Sequence, residues 1–264
     1  MLKRRLIPVL FLKNGLVVRS QEFVDFREFG NPLGQLERLN DWQADELIYI
    51  DISREAFYDL KRDDHKVASR NSVIDILRDI STRSFMPLTF GGRIFQFEQA
   101  AAFIRNGADK VIVNSGAYHK ESLIGEIATY FGSQCVVVGI DVKKDVTGKH
   151  EVFVDQGKTK ISYSPVEWAR IVEDRGAGEI FLNSIDRDGT ASGYDIDAIN
   201  AIVEAVHIPV IACGGAGMFE HFEEVYKKTN ASAVAAGNIF NFTENAYVRA
   251  KKQLVQGECN VRSH

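Results

Sequence analysis

The chain states one segment twice. Pro87-Leu88-Thr89-Phe90-Gly91-Gly92, followed by Gly107-Ala108-Asp109-Lys110-Val111-Ile112-Val113-Asn114, returns 122 residues later as Pro209-Val210-Ile211-Ala212-Cys213-Gly214, followed by Asn230-Ala231-Ser232-Ala233-Val234-Ala235-Ala236. A duplicated unit of strand, Gly-rich turn, helix, strand and small-residue turn is how a half-barrel doubled into a (β/α)₈ barrel reads, with one phosphate-type turn pair in each half. The expected fold class is therefore α/β, a TIM barrel built from two related half-barrels.

The length suits that fold. At 264 residues and 45% hydrophobic content the chain can fill one large core, so a single barrel domain over residues 1–264 is expected. Its 32 basic and 36 acidic residues are intermixed and give a net charge of −4, which offers no electrostatic case for nucleic acid or an anionic membrane. The start, Met1 to Arg5 followed by apolar Leu6 to Leu12, has the charge order of a signal peptide. Its apolar part contains Pro8 and runs into Lys13-Asn14-Gly15 with no small-residue cleavage site, so a leader is not expected. No apolar run approaches the roughly 20 residues that span a bilayer. Cys135, Cys213 and Cys259 are odd in number and far apart, suggesting neither a disulfide framework nor a metal site. A soluble, cytoplasmic chain without cofactor is expected.

Short β-rich apolar runs alternate with longer amphipathic ones, the pattern of a parallel sheet wrapped by helices. Eight strands are predicted at about Arg5–Leu10, Glu46–Ile52, Pro87–Phe90, Lys110–Asn114, Cys135–Asp141, Glu179–Asn183, Pro209–Ala212 and Ala233–Ala236. Helices are predicted between them, among others over Phe97–Asn106, Glu121–Phe131, Pro165–Arg175, Ile196–Val206 and Glu244–Gln256, with Gly107, Gly132 and Gly176 at helix ends. Two connections, Asn14 to Pro32 and Lys143 to Tyr163, are longer than a barrel needs. Each follows the first strand of a half, and the second contains a hairpin-like Glu151–Val154.

In a β/α barrel the chemistry sits at the carboxyl ends of the strands. Four turns there, Gly91-Gly92, Asn114-Ser115-Gly116, Gly214-Gly215-Ala216-Gly217 and Ala236-Gly237-Asn238, carry unhindered N–H groups that could cradle phosphate. One pair per half suggests a ligand with two phosphate ends. Asp141 ends the fifth strand, where a carboxylate can take and return protons or, alternatively, cap the loop beside Lys143. Asp186 and Asp188, after the sixth strand, are either proton carriers or Asx-turn residues, and Asp51 ends the second strand. Aligning the halves places Phe11 opposite Asp141, so an acid and base paired across the mouth would lack one member. At the other face Arg5, Glu46, Lys110 and Glu179 all begin strands; four mutually neutralising charges there form either a stabilising cluster or a functional ring.

With these residues in place, the chain resembles the cyclase subunit of imidazole glycerol phosphate synthase, the HisF family of histidine biosynthesis. The likeness runs from Leu2-Lys3-Arg4-Arg5 to Asn260-Val261-Arg262. It is carried by Asp45-Glu46-Leu47, Gly107-Ala108-Asp109-Lys110, Phe131-Gly132-Ser133-Gln134, Gly176-Ala177-Gly178-Glu179-Ile180, Asp186-Arg187-Asp188-Gly189-Thr190 and Gly214-Gly215-Ala216-Gly217. The resemblance implies a barrel that binds a two-phosphate ribonucleotide at its carboxyl face and receives ammonia at the other from a docked HisH-like glutaminase subunit. It implies that Arg5, Glu46, Lys110 and Glu179 ring the ammonia entrance and that Asp109 lies at the glutaminase interface. Gly92, Asn114, Gly189, Gly214 and Gly215 match the phosphate turns, and Asp141 matches one of two catalytic aspartates.

Departures from the family are concentrated at the mouth. The first catalytic aspartate falls on Phe11 and the mobile-loop lysine on Arg19. One triple-glycine turn reads Gly91-Gly92-Arg93, Cys213 replaces a serine, and the serine after the eighth strand is Gly237. Loss of a general acid or base typically costs 10²- to 10⁴-fold, so an ordinary cyclase rate is not expected, whereas Arg93 offers a charge-assisted contact to an anion. The pattern resembles HisF-like paralogues of surface-polysaccharide pathways, which implies ammonia conducted towards a separate sugar-amidating enzyme. A working cyclase using Asp141 and Asp186, and a scaffold without catalysis, are the alternatives.

Overall fold

The duplication is visible in strand order. In the computed structural model, which describes residues 2–21, 25–53, 58, 70–242 and 244–263, eight parallel strands close into a cylinder. They are β1 (Arg5–Lys13), β4 (Leu47–Asp51), β5 (Leu88–Gly91), β6 (Lys110–Val113), β7 (Val136–Lys144), β10 (Glu179–Ser184), β11 (Val210–Cys213) and β12 (Ala233–Ala236). Each pairs with the next in that order, and β12 closes on β1 through the register Arg5↔Ala233 to Pro8↔Ala236. The fold is a (β/α)₈ barrel, with all eight strands within a residue or two of their predicted positions except β1 and β7, which run on by three.

Those two overruns have one cause. The long connections that follow them fold back as antiparallel ribbons: β2 (Leu16–Gln21) pairs with the end of β1 and with β3 (Asp25–Gly30), while β8 (His150–Val154) pairs with the end of β7 and with β9 (Thr159–Lys160). The first connection, expected as a loop, is thus a hairpin. Its outer strand alternates exposed and half-buried residues without an apolar face, so no periodicity announced it.

Helices cover the outside. Those at Pro165–Asp174 and Phe97–Arg105 start on capping boxes from Ser164 with Glu167 and from Gln96 with Gln99. The strands' outward residues, such as Leu6, Leu47, Leu88, Val111 and Val138, meet the helices in one large apolar layer. Fully burying such a side chain is worth roughly 1.5–3 kcal/mol.

Inward residues follow the two-residue period of a strand and form three tiers. The lowest holds Arg5, Glu46, Lys110 and Glu179. Above it lie Ile7, Ile48, Ile112, Val137, Phe181, Ile211 and Ala233, part of a separate apolar cluster that fills the barrel. At the top, two residues further along their strands, stand Phe11, Asn114, Asp141, Asn183 and Cys213.

Candidate active site

The top tier opens into two cavities. The first, about 320 Å³, is lined by Arg19, Ser20, Arg27, Asp188, Gly189, Cys213, Gly214, Gly215, Gly237 and Asn238; the second, about 610 Å³, by Gly92, Arg93, Asn114, Ser115, Asp141, Lys158 and Asn183 against Ile50, Ile112 and Phe181. Phe11 lines both. The turns of the two halves therefore serve two separate hollows, with the aromatic ring between them.

Glycine is required at two of these turns. At Gly92 φ is +118°, and a Cβ would lie 2.2 Å from the Asp51 carbonyl oxygen; at Gly214 φ is +95°, and it would lie 2.5 Å from that of Ser184. The next residue, Arg93, holds φ at +54° in spite of its side chain. A left-handed non-glycine residue at a cavity wall is strain of the kind that clusters at ligand sites.

In the second cavity Asp141 is gripped from both sides. Asn114 donates through Nδ2 to Oδ2 at 2.9 Å, and Asn183 through Nδ2 to Oδ1 at 3.0 Å. Burial raises the Asp141 pKa to about 6; the two amide bonds oppose that rise and the charge of Asp188 adds to it. A carboxyl poised there can both accept and release a proton near neutral pH. Phe11, its counterpart in the other half, pairs with Ile50 and Val18 and brings no polar atom to the mouth.

The other predicted residues separate. Asp188 is buried in the first cavity and accepts from Ser20 Oγ at 2.7 Å. Asp186 is exposed and lines neither cavity, its carboxylate accepting the Lys144 N–H at 2.6 Å. Asp51 is buried behind the second cavity and orders its own turn, accepting from Ser53 N and Oγ at 3.0 and 2.5 Å. Ser115 Oγ accepts the Asp155 N–H at 2.8 Å, and Asn238 donates to Ser20 O at 2.8 Å, tying the first hairpin to the eighth turn. Arg19 and Arg27 face each other across β2 and β3 and both line the first cavity. Asn183 was missed among the candidates, although it lies on the inward period of β10 that begins at Glu179.

At the opposite face the four charges close a ring. Arg5 bonds Glu46 at 2.6 Å and also Glu179, while Lys110 bonds Glu179 at 2.9 Å and Glu46 at 3.4 Å. Burial alone would lower the Arg5 pKa, but Glu179 and Glu46 together raise it well above the ordinary arginine value. Asp109, beside the ring, is exposed and accepts the Leu88 N–H at 2.7 Å. Close by, Asp45 takes the Leu6 N–H and a buried ion pair from Lys251 at 2.7 Å. Among the described residues no group of three or more His, Cys, Asp or Glu side chains could hold a metal, and no helix is long and apolar enough to cross a membrane.

Comparison with known proteins agrees with this geometry. Residues 5–246 match the family described as histidine biosynthesis protein. The chain is 42% identical to imidazole glycerol phosphate synthase subunit HisF of Hydrogenobaculum sp. (strain Y04AAS1) over 99% of its own length and all of the relative's. It is 39% identical to the HisF subunit of Alkaliphilus metalliredigens and 42% identical to that of Chlorobium luteolum, again over 99% of the chain and the whole relative. With its barrel, its ringed base and a likeness that spans its whole length, the chain belongs to the HisF family of histidine biosynthesis proteins.

Proposed function

We propose that this barrel receives ammonia from a HisH-like glutaminase docked over Asp109 and the charged ring, and conducts it through the apolar interior for an amidation step. The acceptor we assign is a nucleotide-linked sugar of surface-polysaccharide (lipopolysaccharide O-antigen) biosynthesis, handled by a separate sugar-amidating enzyme. The observation that carries this reading is Phe11: the site keeps one carboxyl, Asp141, where the doubled barrel calls for two. The base retains the complete ring of Arg5, Glu46, Lys110 and Glu179. The acceptor class rests on the resemblance of these departures to HisF-like paralogues.

Asp141 and the two sets of glycine turns favour the second reading, a working cyclase that acts on a two-phosphate ribonucleotide. Ammonia-dependent turnover of the histidine-pathway intermediate by the purified chain, with and without a co-purified glutaminase, separates the two. Turnover is expected to lie 10²- to 10⁴-fold below that of a chain with both carboxyls and to rise in Phe11→Asp. Full turnover by the unmodified chain, abolished by Asp141→Asn, would refute the conduit reading.

A further inference from the structure

Asn183 holds an acceptor that nothing in the protein uses. Its side chain is 2% exposed and lines the second cavity, its Nδ2 is committed to Asp141, and its Oδ1 is buried with no hydrogen-bond partner. Leaving such an acceptor unpaired costs about 1–3 kcal/mol, so native proteins rarely tolerate one without a use for it. Nor can the amide turn over to relieve it, because that would set its oxygen against the ionised Oδ1 of Asp141.

The acceptor's place is set by the strand. Glu179, Phe181 and Asn183 succeed one another on the inward face of β10, so the amide stands above the apolar tier and the ring in one line. Two strand residues advance about 6.6 Å, which puts the amide about 13 Å above the ring carboxylate. In register it faces Asp141 on β7 and Cys213 on β11. A molecule rising through the interior meets Asn183 Oδ1 and Asp141 together, with the Phe11 ring completing the cavity wall.

We infer that Asn183 Oδ1 and the Asp141 carboxylate form a docking site for ammonia at the head of the barrel. Ammonia carries three N–H donors and one lone pair. One N–H satisfies Asn183 Oδ1, a second reaches the spare lone pairs of Asp141, and the nitrogen lone pair is left facing the cavity. This rests on the ammonia-conducting reading above but concerns binding alone, so it is tested without a glutaminase or an acceptor.

The experiment is a ¹⁵N NMR titration of the full chain with ammonium chloride at mildly alkaline pH, with sodium chloride of equal ionic strength as reference. It follows the side-chain amide signals of Asn183 and Asn114. A saturable shift at Asn183 that sodium chloride does not reproduce is expected. In Asn183→Leu the remaining response, read at Asn114, should need about tenfold more ammonium, the factor that one net hydrogen bond supplies. Asn183→Thr, which keeps a hydroxyl acceptor and leaves the cavity less altered, should lie between the two. No saturable shift, or an undiminished Asn114 response in both variants, would overturn the site. Failure of glutamine-dependent transfer with binding intact would instead count against the conduit reading.

Discussion

Asp141→Asn should stabilise the protein while disabling its one central carboxyl. In the folded chain burial raises the Asp141 pKa to about 6, against about 3.9 for an unfolded aspartate. A pKa raised by folding contributes stability that is fully present below the unfolded value and is lost as pH rises through the folded one. Asp141 therefore weakens the fold between about pH 4 and pH 6. At 1.36 kcal/mol per unit, a rise of about two units amounts to roughly 2–3 kcal/mol at neutral pH. The variant carries no charge and escapes that loss, and its new amide can be accommodated because a rotated Asn183 could offer Oδ1 to it. Urea unfolding of both chains should show the variant more stable by roughly 2–3 kcal/mol at pH 7, with the difference shrinking towards zero near pH 4. In a chain of this size that corresponds to about 5–10 °C in Tm. Equal stabilities at neutral pH, or a difference that does not fall with acid, would refute a carboxyl held charged against its surroundings.

Three further outcomes follow from the geometry. Lys251→Met leaves the Asp45 carboxylate buried and unpaired and should cost about 3–5 kcal/mol in denaturant unfolding, much of it recovered by adding Asp45→Asn. Gly92→Ala should lose about 2–4 kcal/mol, from its left-handed backbone and the clash with Asp51 O, whereas Gly148→Ala, with φ +84° and nothing within 4 Å, should lose only about 1 kcal/mol. Lys110→Glu breaks the ring and should abolish glutamine-dependent output in the presence of a glutaminase; unchanged output would favour a scaffold role.

The barrel was legible because its strands are short apolar runs punctuated by glycine, and both signals are local. The ring was legible for a similar reason, since each member begins a predicted strand. What escaped depended on distance. Lys251 sits among Arg249 and Lys252 on a helix whose charges read as solvated, yet its partner Asp45 lies 206 residues earlier. Asp186 and Asp188 are neighbours in an identical local setting, and only the path of the turn after β10 sends one into the mouth and the other to the Lys144 N–H. Asn183 carries no motif at all; counting inward residues up from Glu179 was the one signal available.

The charged ring also joins the two halves. Arg5, Glu46 and Lys110 come from the first half, and Glu179 alone from the second. Separated between β6 and β7, the first fragment would carry one surplus positive charge at its base and the second one surplus negative charge. The two pieces are thus marked for each other, and two copies of either would meet with like charges opposed. A contact that neutralises itself in the intact chain would act, in fragments, as a selector of the correct partner.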